Sequence, residues 1–137
     1  MKKITLTFIL PVIACVLLAV TISSCCCNTK SSDERLLRHV VMFGFNENAT
    51  QAEIKTVVEQ FAGLQKDITE IYSFEWGTDN SPEGLQQGLT HCFFLSFKSE
   101  KDRDAYIVHP KHQEFGAFVG KYVSKVTVVD YWAQTKP

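Results

Sequence analysis

The chain has 137 residues, of which 45% are hydrophobic and 21% are charged. This composition excludes a disordered chain and a collagen-like repeat, and the length is enough for one domain. Fourteen basic and fifteen acidic side chains give a net charge of −1, without a basic patch or stripe in the sequence. We therefore do not expect nucleic acid to be the main partner.

Residues 1–24 have the pattern of a secretory signal peptide. Lys2 and Lys3 precede an almost entirely apolar stretch at 4–22, and small residues follow it. A charged start, an apolar middle and small residues before a cleavage point are typical of such peptides. The alternative is a retained membrane helix, because the nineteen residues of 4–22 approach the ~20 that span a bilayer.

The sequence Ile22-Ser23-Ser24-Cys25 resembles the lipobox of bacterial lipoproteins. This resemblance implies that the Cys25 thiol carries a diacylglycerol, that the chain is cut before it, and that an acyl group such as palmitate blocks the new N-terminus. Removal of residues 1–24 takes two of the fourteen basic side chains and no acidic one, so the mature chain of 113 residues carries a net charge of −3. We expect a protein anchored by lipid to the membrane of the bacterial cell envelope. In a Gram-negative organism, this means the outer membrane or the cell surface.

Residues 25–36 comprise the lipidated cysteine and a polar tether. Between Leu37 and Phe45 the side chains alternate, and a period of two with β-branched and aromatic content is typical of a strand. Thr50 and Glu53 have the spacing of a capping box, and apolar residues follow at helical spacing. We therefore predict a helix over 51–66.

The remaining segments predict an α+β domain. Further strands are predicted at 71–77, 91–97 and 124–132. Ser99 and Asp102 begin a second helix, which His109-Pro110 interrupts, and a new helix is predicted from Pro110 to Tyr122. The order β-α-β-β-α-β is ferredoxin-like. A short tail at 133–137 follows the domain.

The predicted sheet is apolar on both faces. Two helices can cover only one face of a four-stranded sheet, yet Val40 and Met42 oppose Val41 and Phe43 in the first strand. An open apolar face of this size exceeds the few hundred Å² that soluble monomers usually expose. We therefore predict a homodimer whose sheets pack face to face. The alternative is that the second face is only half apolar and stays in contact with water.

Several motifs resemble the stress-responsive A/B barrel (Dabb) domain. In chain order they are Arg38-His39-Val40-Val41, Glu83-Gly84 with Gly88 and His91, Tyr106-x-x-His109-Pro110-x-His112, and Val128-Val129-Asp130-Tyr131. The resemblance covers 37–132 and implies a dimeric α+β barrel. The family includes plant stress-induced proteins, bacterial proteins of unassigned role, and a plant polyketide cyclase that performs an intramolecular aldol condensation.

The resemblance to that cyclase implies that His112 and Tyr106 act as an acid/base pair and that His39 is a further pocket histidine. Imidazole takes and returns a proton near neutral pH, and a tyrosine hydroxyl donates a hydrogen bond to a developing enolate. The alternative is structural: His109 caps a helix, His112 closes the His-Pro turn, and His39 is a core histidine with its hydrogen bonds satisfied.

We expect Phe61, His109 and Phe115 to line a pocket for a small apolar ligand between helices and sheet. We do not expect a metal or another cofactor, because Pro110 breaks the helix between His109 and His112. The first functional hypothesis is a dimeric stress-response module that binds a small apolar or carbonyl compound, with no assigned reaction. The second is an enzyme of the cyclase, isomerase or lyase type that works by proton transfer, with His112 as the base and Tyr106 as the donor. A purely structural interaction dimer is the third.

Overall fold

The fold is described from a computed structural model, which describes residues 35–134. The signal peptide predicted at 1–24 and the lipidation predicted at Cys25 lie outside these residues. Within 35–134 no helix is long and apolar enough to cross a membrane.

Four strands and three helices make up the described chain. The strands are β1 (Leu37–Phe45), β2 (Ser73–Thr78), β3 (His91–Phe97) and β4 (Val123–Trp132). The helices are α1 (Gln51–Asp67), α2 (Glu100–Val108) and α3 (Pro110–Val119). The strands form one antiparallel sheet in the order β2-β3-β1-β4. This is the expected ferredoxin-like α+β fold, with its second helical segment divided in two.

The helix starts follow from side-chain capping. Thr50 Oγ1 accepts from the Glu53 amide at 3.3 Å, and the Thr50 amide donates to Glu53 Oε2 at 2.8 Å, which completes the predicted capping box of α1. Ser99 Oγ accepts from the Asp102 amide at 3.1 Å and caps α2. Because helical backbone angles are disfavoured for the residue before a proline, His109 is extended and α2 ends at Val108.

Two predicted boundaries differ from the structure by more than one residue. Helix α3 ends at Val119 rather than Tyr122, because the Tyr122 amide bonds to the Val119 carbonyl at 2.9 Å and tightens the chain into a turn. Strand β2 begins at Ser73 rather than at Ile71. Ile71 is buried in the core before the strand. Cys92 of β3, which pairs with Met42, is half-buried.

Aromatic rings fill the space between the sheet and the helices. The Phe61 ring of α1 lies 4.5 Å from that of Phe93 and 4.7 Å from that of Phe115, measured between centroids. Phe43 of β1 packs 5.1 Å from Phe93. This packing anchors α1 and α3 on the face of the sheet that also carries His39, so the helix-covered face contains the candidate catalytic residues.

The edge strand β4 exposes apolar side chains on both of its faces. Val126 and Val128 are 50% and 51% exposed on the side of the helices. Val129 and Tyr131, whose side chains alternate with them, are 47% and 45% exposed. The helices therefore leave β4 largely uncovered.

Candidate functional site

The candidate site lies where β1, β4 and the junction of α2 and α3 meet. His39 stands on the helix-facing side of β1, and Asp130 of β4 is its partner in the antiparallel register. Tyr106 is in the last turn of α2, and His112 is in the first turn of α3. The structure thus brings together His39, Tyr106 and His112.

A chain of ionic hydrogen bonds fixes His39. Its Nδ1 lies 2.6 Å from Asp130 Oδ1, and Arg103 donates from a guanidinium nitrogen to Asp130 Oδ2 at 2.6 Å. Burial raises the pKa of Asp130, but the hydrogen bonds from Arg103 and His39 outweigh it and lower that pKa overall. Asp130 is therefore a carboxylate at neutral pH, and it accepts a hydrogen bond from the Nδ1–H group of His39.

Tyr106 is fully buried between the two histidines. Its ring centroid lies 4.3 Å from that of His112 and 5.6 Å from that of His39. Among residues 35–134 its hydroxyl oxygen has no hydrogen-bond partner. Burial, and then the negative charge of Asp130, raise the pKa of Tyr106 well above its ordinary value. The phenol is therefore protonated and able to donate.

His112 is held in one orientation by the end of α2. Its Nδ1 lies 3.0 Å from the Ile107 carbonyl oxygen, which also accepts from Gln113 Nε2 at 2.8 Å. Burial lowers the pKa of His112, the hydrogen bond to Ile107 partly opposes this, and nearby His39 and His109 lower it further. The imidazole is therefore neutral at pH 7. Because Nδ1 donates to a carbonyl, Nε2 carries the free lone pair.

These groups can perform proton transfer. A neutral imidazole with a free Nε2 is a general base, and a protonated phenol beside it donates a hydrogen bond to an oxygen on which negative charge develops. No group of three or more potential metal-binding side chains occurs within the described range 35–134. The arrangement places His112 against Tyr106, with His39 next to the Tyr106 ring, and an acid/base role for the pair stays a prediction.

Of the three residues of the expected ligand pocket, Phe61 and Phe115 pack against each other and His109 caps a helix. Phe61 is enclosed by other rings of the core, and Phe115 borders a surface cleft of about 290 Å³ between α1 and α3. His109 Nδ1 accepts from the Lys111 amide at 3.2 Å and caps α3. In this arrangement, aromatic rings fill the space that we expected a ligand to occupy. A ligand contact for this trio stays a prediction.

A cavity of about 650 Å³ lies on the other face of the sheet, under the β2–β3 loop. One cross-strand row forms its floor: Gly77, Cys92, Met42 and Thr127, which are paired in register across all four strands. Gly77 has no side chain and those of Cys92 and Thr127 are small, which leaves room for the depression. His39 and Tyr106 do not line it.

Sequence reasoning missed two members of the site. Asp130 appeared in a motif without a role, and Arg103 was not singled out. The bond between Asp130 and His39 depends on the pairing of β1 with β4, and these two residues are 91 positions apart. The bond between Arg103 and Asp130 depends on where α2 lies relative to β4. Predicting the register in which β1 pairs with β4 would have placed Asp130 beside His39.

One family matches nearly all of the described residues. The stress responsive A/B barrel domain (Dabb) matches residues 37–133. The chain belongs to this family. It is 35% identical over 95 residues to the stress-response A/B barrel domain-containing protein HS1 of Arabidopsis thaliana, an alignment that covers 69% of this chain and 87% of HS1. It is 25% identical over 95 residues to the olivetolic acid cyclase of Cannabis sativa, covering 69% of this chain and 94% of the cyclase.

Solved structures share this Dabb fold. The hydroxynitrile lyase of Passiflora edulis superposes with a TM-score of 0.71 and 25% identity, covering 75% of this chain and 97% of the lyase. A dimeric ferredoxin-like protein of unknown function from Thermobifida fusca superposes with a TM-score of 0.63 and 19% identity, covering 74% of this chain and 93% of the T. fusca chain. The homologues of this Dabb protein therefore include a cyclase and a lyase.

Proposed function

We propose that this Dabb protein binds a small carbonyl compound beside Tyr106 and His112 and transfers a proton at that site, as an enzyme of the lyase or cyclase type. The observation that carries the proposal is the buried Tyr106 hydroxyl, which has no partner among residues 35–134, next to a neutral histidine. A buried donor left unpaired costs about 1–3 kcal/mol. A ligand oxygen that accepts from Tyr106 removes this cost on binding.

The proposed chemistry assigns one role to each side chain. His112 Nε2 takes a proton from a carbon beside the carbonyl or from a hydroxyl on the reacting carbon. The Tyr106 hydroxyl donates to the oxygen that gains negative charge, so its hydrogen bond strengthens in the transition state. The relatives named as a cyclase and a lyase support this class of reaction.

The charges around the site favour an uncharged substrate. Arg103 lies three residues before Tyr106 in α2, and its guanidinium is engaged by Asp130 and by Asp104 Oδ1, which lies 2.7 Å from Nε. It is therefore not free to bind a substrate carboxylate. Tyr106 is fully buried and His112 is partly exposed, so we infer that the substrate approaches from the side of His112.

The test is exchange of carbon-bound hydrogen in D₂O, followed by NMR on a panel of small ketones and hydroxy ketones. His112→Gln is the informative variant, since the glutamine amide can still donate to the Ile107 carbonyl but is not a base near neutral pH. We expect exchange to fall by about 10²–10⁴-fold with little change in melting temperature. His91→Gln is the control, because His91 lies at the start of β3 beside Thr90. Exchange that is equal in both variants contradicts the proposal.

A second candidate is a binding module without turnover, which is favoured by the hydrogen bonds that tie His112 and His109 into the turn between α2 and α3. It predicts that His112→Gln lowers the melting temperature in proportion to any loss of ligand binding, and that the wild type catalyses no exchange. Measuring melting temperature and exchange on the same samples separates the two functions.

We also propose that the protein is a homodimer that buries the uncovered face of its sheet. The exposed apolar residues of β4 support this, as does the T. fusca structure described as dimeric. Sedimentation at micromolar concentration tests it. We expect Val129→Asp to dissociate the dimer and Leu85→Asp, at an exposed loop position, to leave it intact. A monomeric wild type contradicts the proposal.

A lipid anchor at Cys25 in the bacterial cell envelope is proposed from the sequence Ile22-Ser23-Ser24-Cys25. If it exists, Cys25→Ala abolishes processing and incorporation of labelled palmitate. Unchanged processing and unchanged membrane fractionation of the variant contradict the anchor.

A further inference from the structure

We propose that Arg103 is a positioning residue that acts through Asp130 to hold His39 in a single tautomer, with its proton on Nδ1 and its lone pair on Nε2. The catalytic meaning of this tautomer rests on the proton-transfer function proposed above. The tautomer itself can be measured without a substrate.

The geometry divides the Asp130 carboxylate between two partners. Oδ1 lies 2.6 Å from His39 Nδ1 and Oδ2 lies 2.6 Å from the Arg103 guanidinium, so both oxygens are engaged. A carboxylate whose two oxygens both accept hydrogen bonds cannot rotate without breaking an ionic hydrogen bond. The side chains of His39, Asp130 and Arg103 are 7%, 27% and 20% exposed, so solvent competes only weakly for these bonds.

Arg103 is itself held in place by its own helix. Its Nε donates to Asp104 Oδ1 at 2.7 Å, while the terminal nitrogen donates to Asp130. Arg103 and Tyr106 are three residues apart in α2 and therefore lie on adjacent positions of one helix face. One turn of α2 thus supplies both the buried phenol and the cation that fixes the carboxylate behind His39.

The arrangement has a chemical consequence for His39. A neutral imidazole carries its proton on either nitrogen, and the hydrogen bond made by one nitrogen decides which. A fixed anion at Nδ1 selects the Nδ1–H form and makes Nε2 the acceptor. Without Arg103, Asp130 sits on the exposed edge strand β4 with one free oxygen, so we expect its side chain to turn toward water. His39 then distributes its proton between both nitrogens.

The test is long-range ¹H–¹⁵N NMR of the imidazole nitrogens in the full chain at pH 7.5. The sequence has four histidines, so His39→Gln assigns the signal by its loss. We expect the Nδ1–H form of His39 in the wild type, a mixture of tautomers in Arg103→Gln, and recovery of the Nδ1–H form in Arg103→Lys. Lys101→Gln, an exposed position on the same helix, is the matched control and should leave His39 unchanged.

A merely structural role for Arg103 lowers the melting temperature of Arg103→Gln without changing the tautomer of His39, and that result overturns the proposal. If Arg103→Gln does not fold, Asp130→Asn provides a second test. The proposal requires that His39 is also a mixture of tautomers in Asp130→Asn. Failure of the proposed function has a different signature. In that case the wild type catalyses no hydrogen exchange, while the tautomer still responds to Arg103.

Discussion

Replacing Tyr106 by Phe should make the ligand-free protein more stable. The Tyr106 hydroxyl is buried without a partner among residues 35–134, so its removal deletes a desolvated donor and leaves the ring in place. The contacts of the ring with His112 at 4.3 Å, Phe97 at 5.3 Å and His39 at 5.6 Å involve the aromatic carbons and persist in the variant. Most substitutions of a buried residue destabilise, so the sign of this effect is diagnostic.

The expected gain follows from the cost of the unpaired hydroxyl. That cost is about 1–3 kcal/mol. The gain is smaller than this cost, because the void left by the lost oxygen itself destabilises the variant. A net gain near the lower end, about 1 kcal/mol, raises the melting temperature of a domain of this size by roughly 4–8 °C. The domain matched to the family spans residues 37–133.

Thermal and urea unfolding of the ligand-free chain measure this gain. Tyr72→Phe is the matched control, since the Tyr72 side chain is 54% exposed, and we expect its effect to stay within about 0.5 kcal/mol. If Tyr106→Phe destabilises the chain by more than the control does, the hydroxyl has a partner in the folded protein and the reasoning for a ligand acceptor fails. The same variant should lose hydrogen exchange, so stability and activity should change in opposite directions.

Two further effects can be measured on the same unfolding curves. Gly44→Ala should destabilise by about 1–3 kcal/mol, because a Cβ at that position would lie 2.5 Å from the Gly88 carbonyl oxygen. Gly63→Ala is the control and should not destabilise, because Gly63 lies within α1 and its added Cβ would have no atom within 4 Å beyond its chain neighbours and the helix's own backbone. A Gly44→Ala protein as stable as the wild type would show that the β2–β3 loop does not sit against β1. The pKa of His112 is lowered below 6.5 in the folded chain, so the unfolded chain binds more protons, and the free energy of unfolding should fall as pH drops below 6.5 toward the folded pKa. His112→Gln should flatten this part of the pH profile, and an unchanged slope would contradict a lowered pKa.

The elements that local patterns encode were predictable from the sequence. The alternation over β1 and the capping box at Thr50 depend on residues within a few positions of each other, and the structure places both as expected. The end of α3 was not predictable in this way. Apolar residues continue at helical spacing to Tyr122, but the turn that ends the helix depends on the Asn46 amide bonding to the Tyr122 carbonyl at 2.8 Å across the fold.

The same distinction between local and long-range contacts applies to the candidate site. Tyr106 and His112 are six residues apart and could be recognised as a pair from a local motif. The Arg103–Asp130–His39 chain could not, because Arg103 and Asp130 are 27 residues apart and are brought together by the placement of α2 beside β4. Phe61 and Phe115 were expected to line a cavity because both are apolar. Whether such rings enclose a space or fill it depends on packing that a pattern of apolar positions does not specify.

The break at Pro110 is what brings His112 to Tyr106. In a continuous helix, residues six apart are separated by 600° of rotation and about 9 Å of rise, so they cannot stack. Here the two rings lie 4.3 Å apart because the backbone of His109 is extended, with φ −62° and ψ 135°, and the chain changes direction. Pro110→Ala removes the steric clash with the proline ring that keeps His109 extended. The His112 ring should then leave its buried position, and its pKa, measured by NMR, should rise toward its ordinary value. Pro82→Ala, in the β2–β3 loop, should leave it unchanged. If the pKa of His112 is the same in all three proteins, capping by His109 alone holds the corner, and the proline is not required to assemble the site.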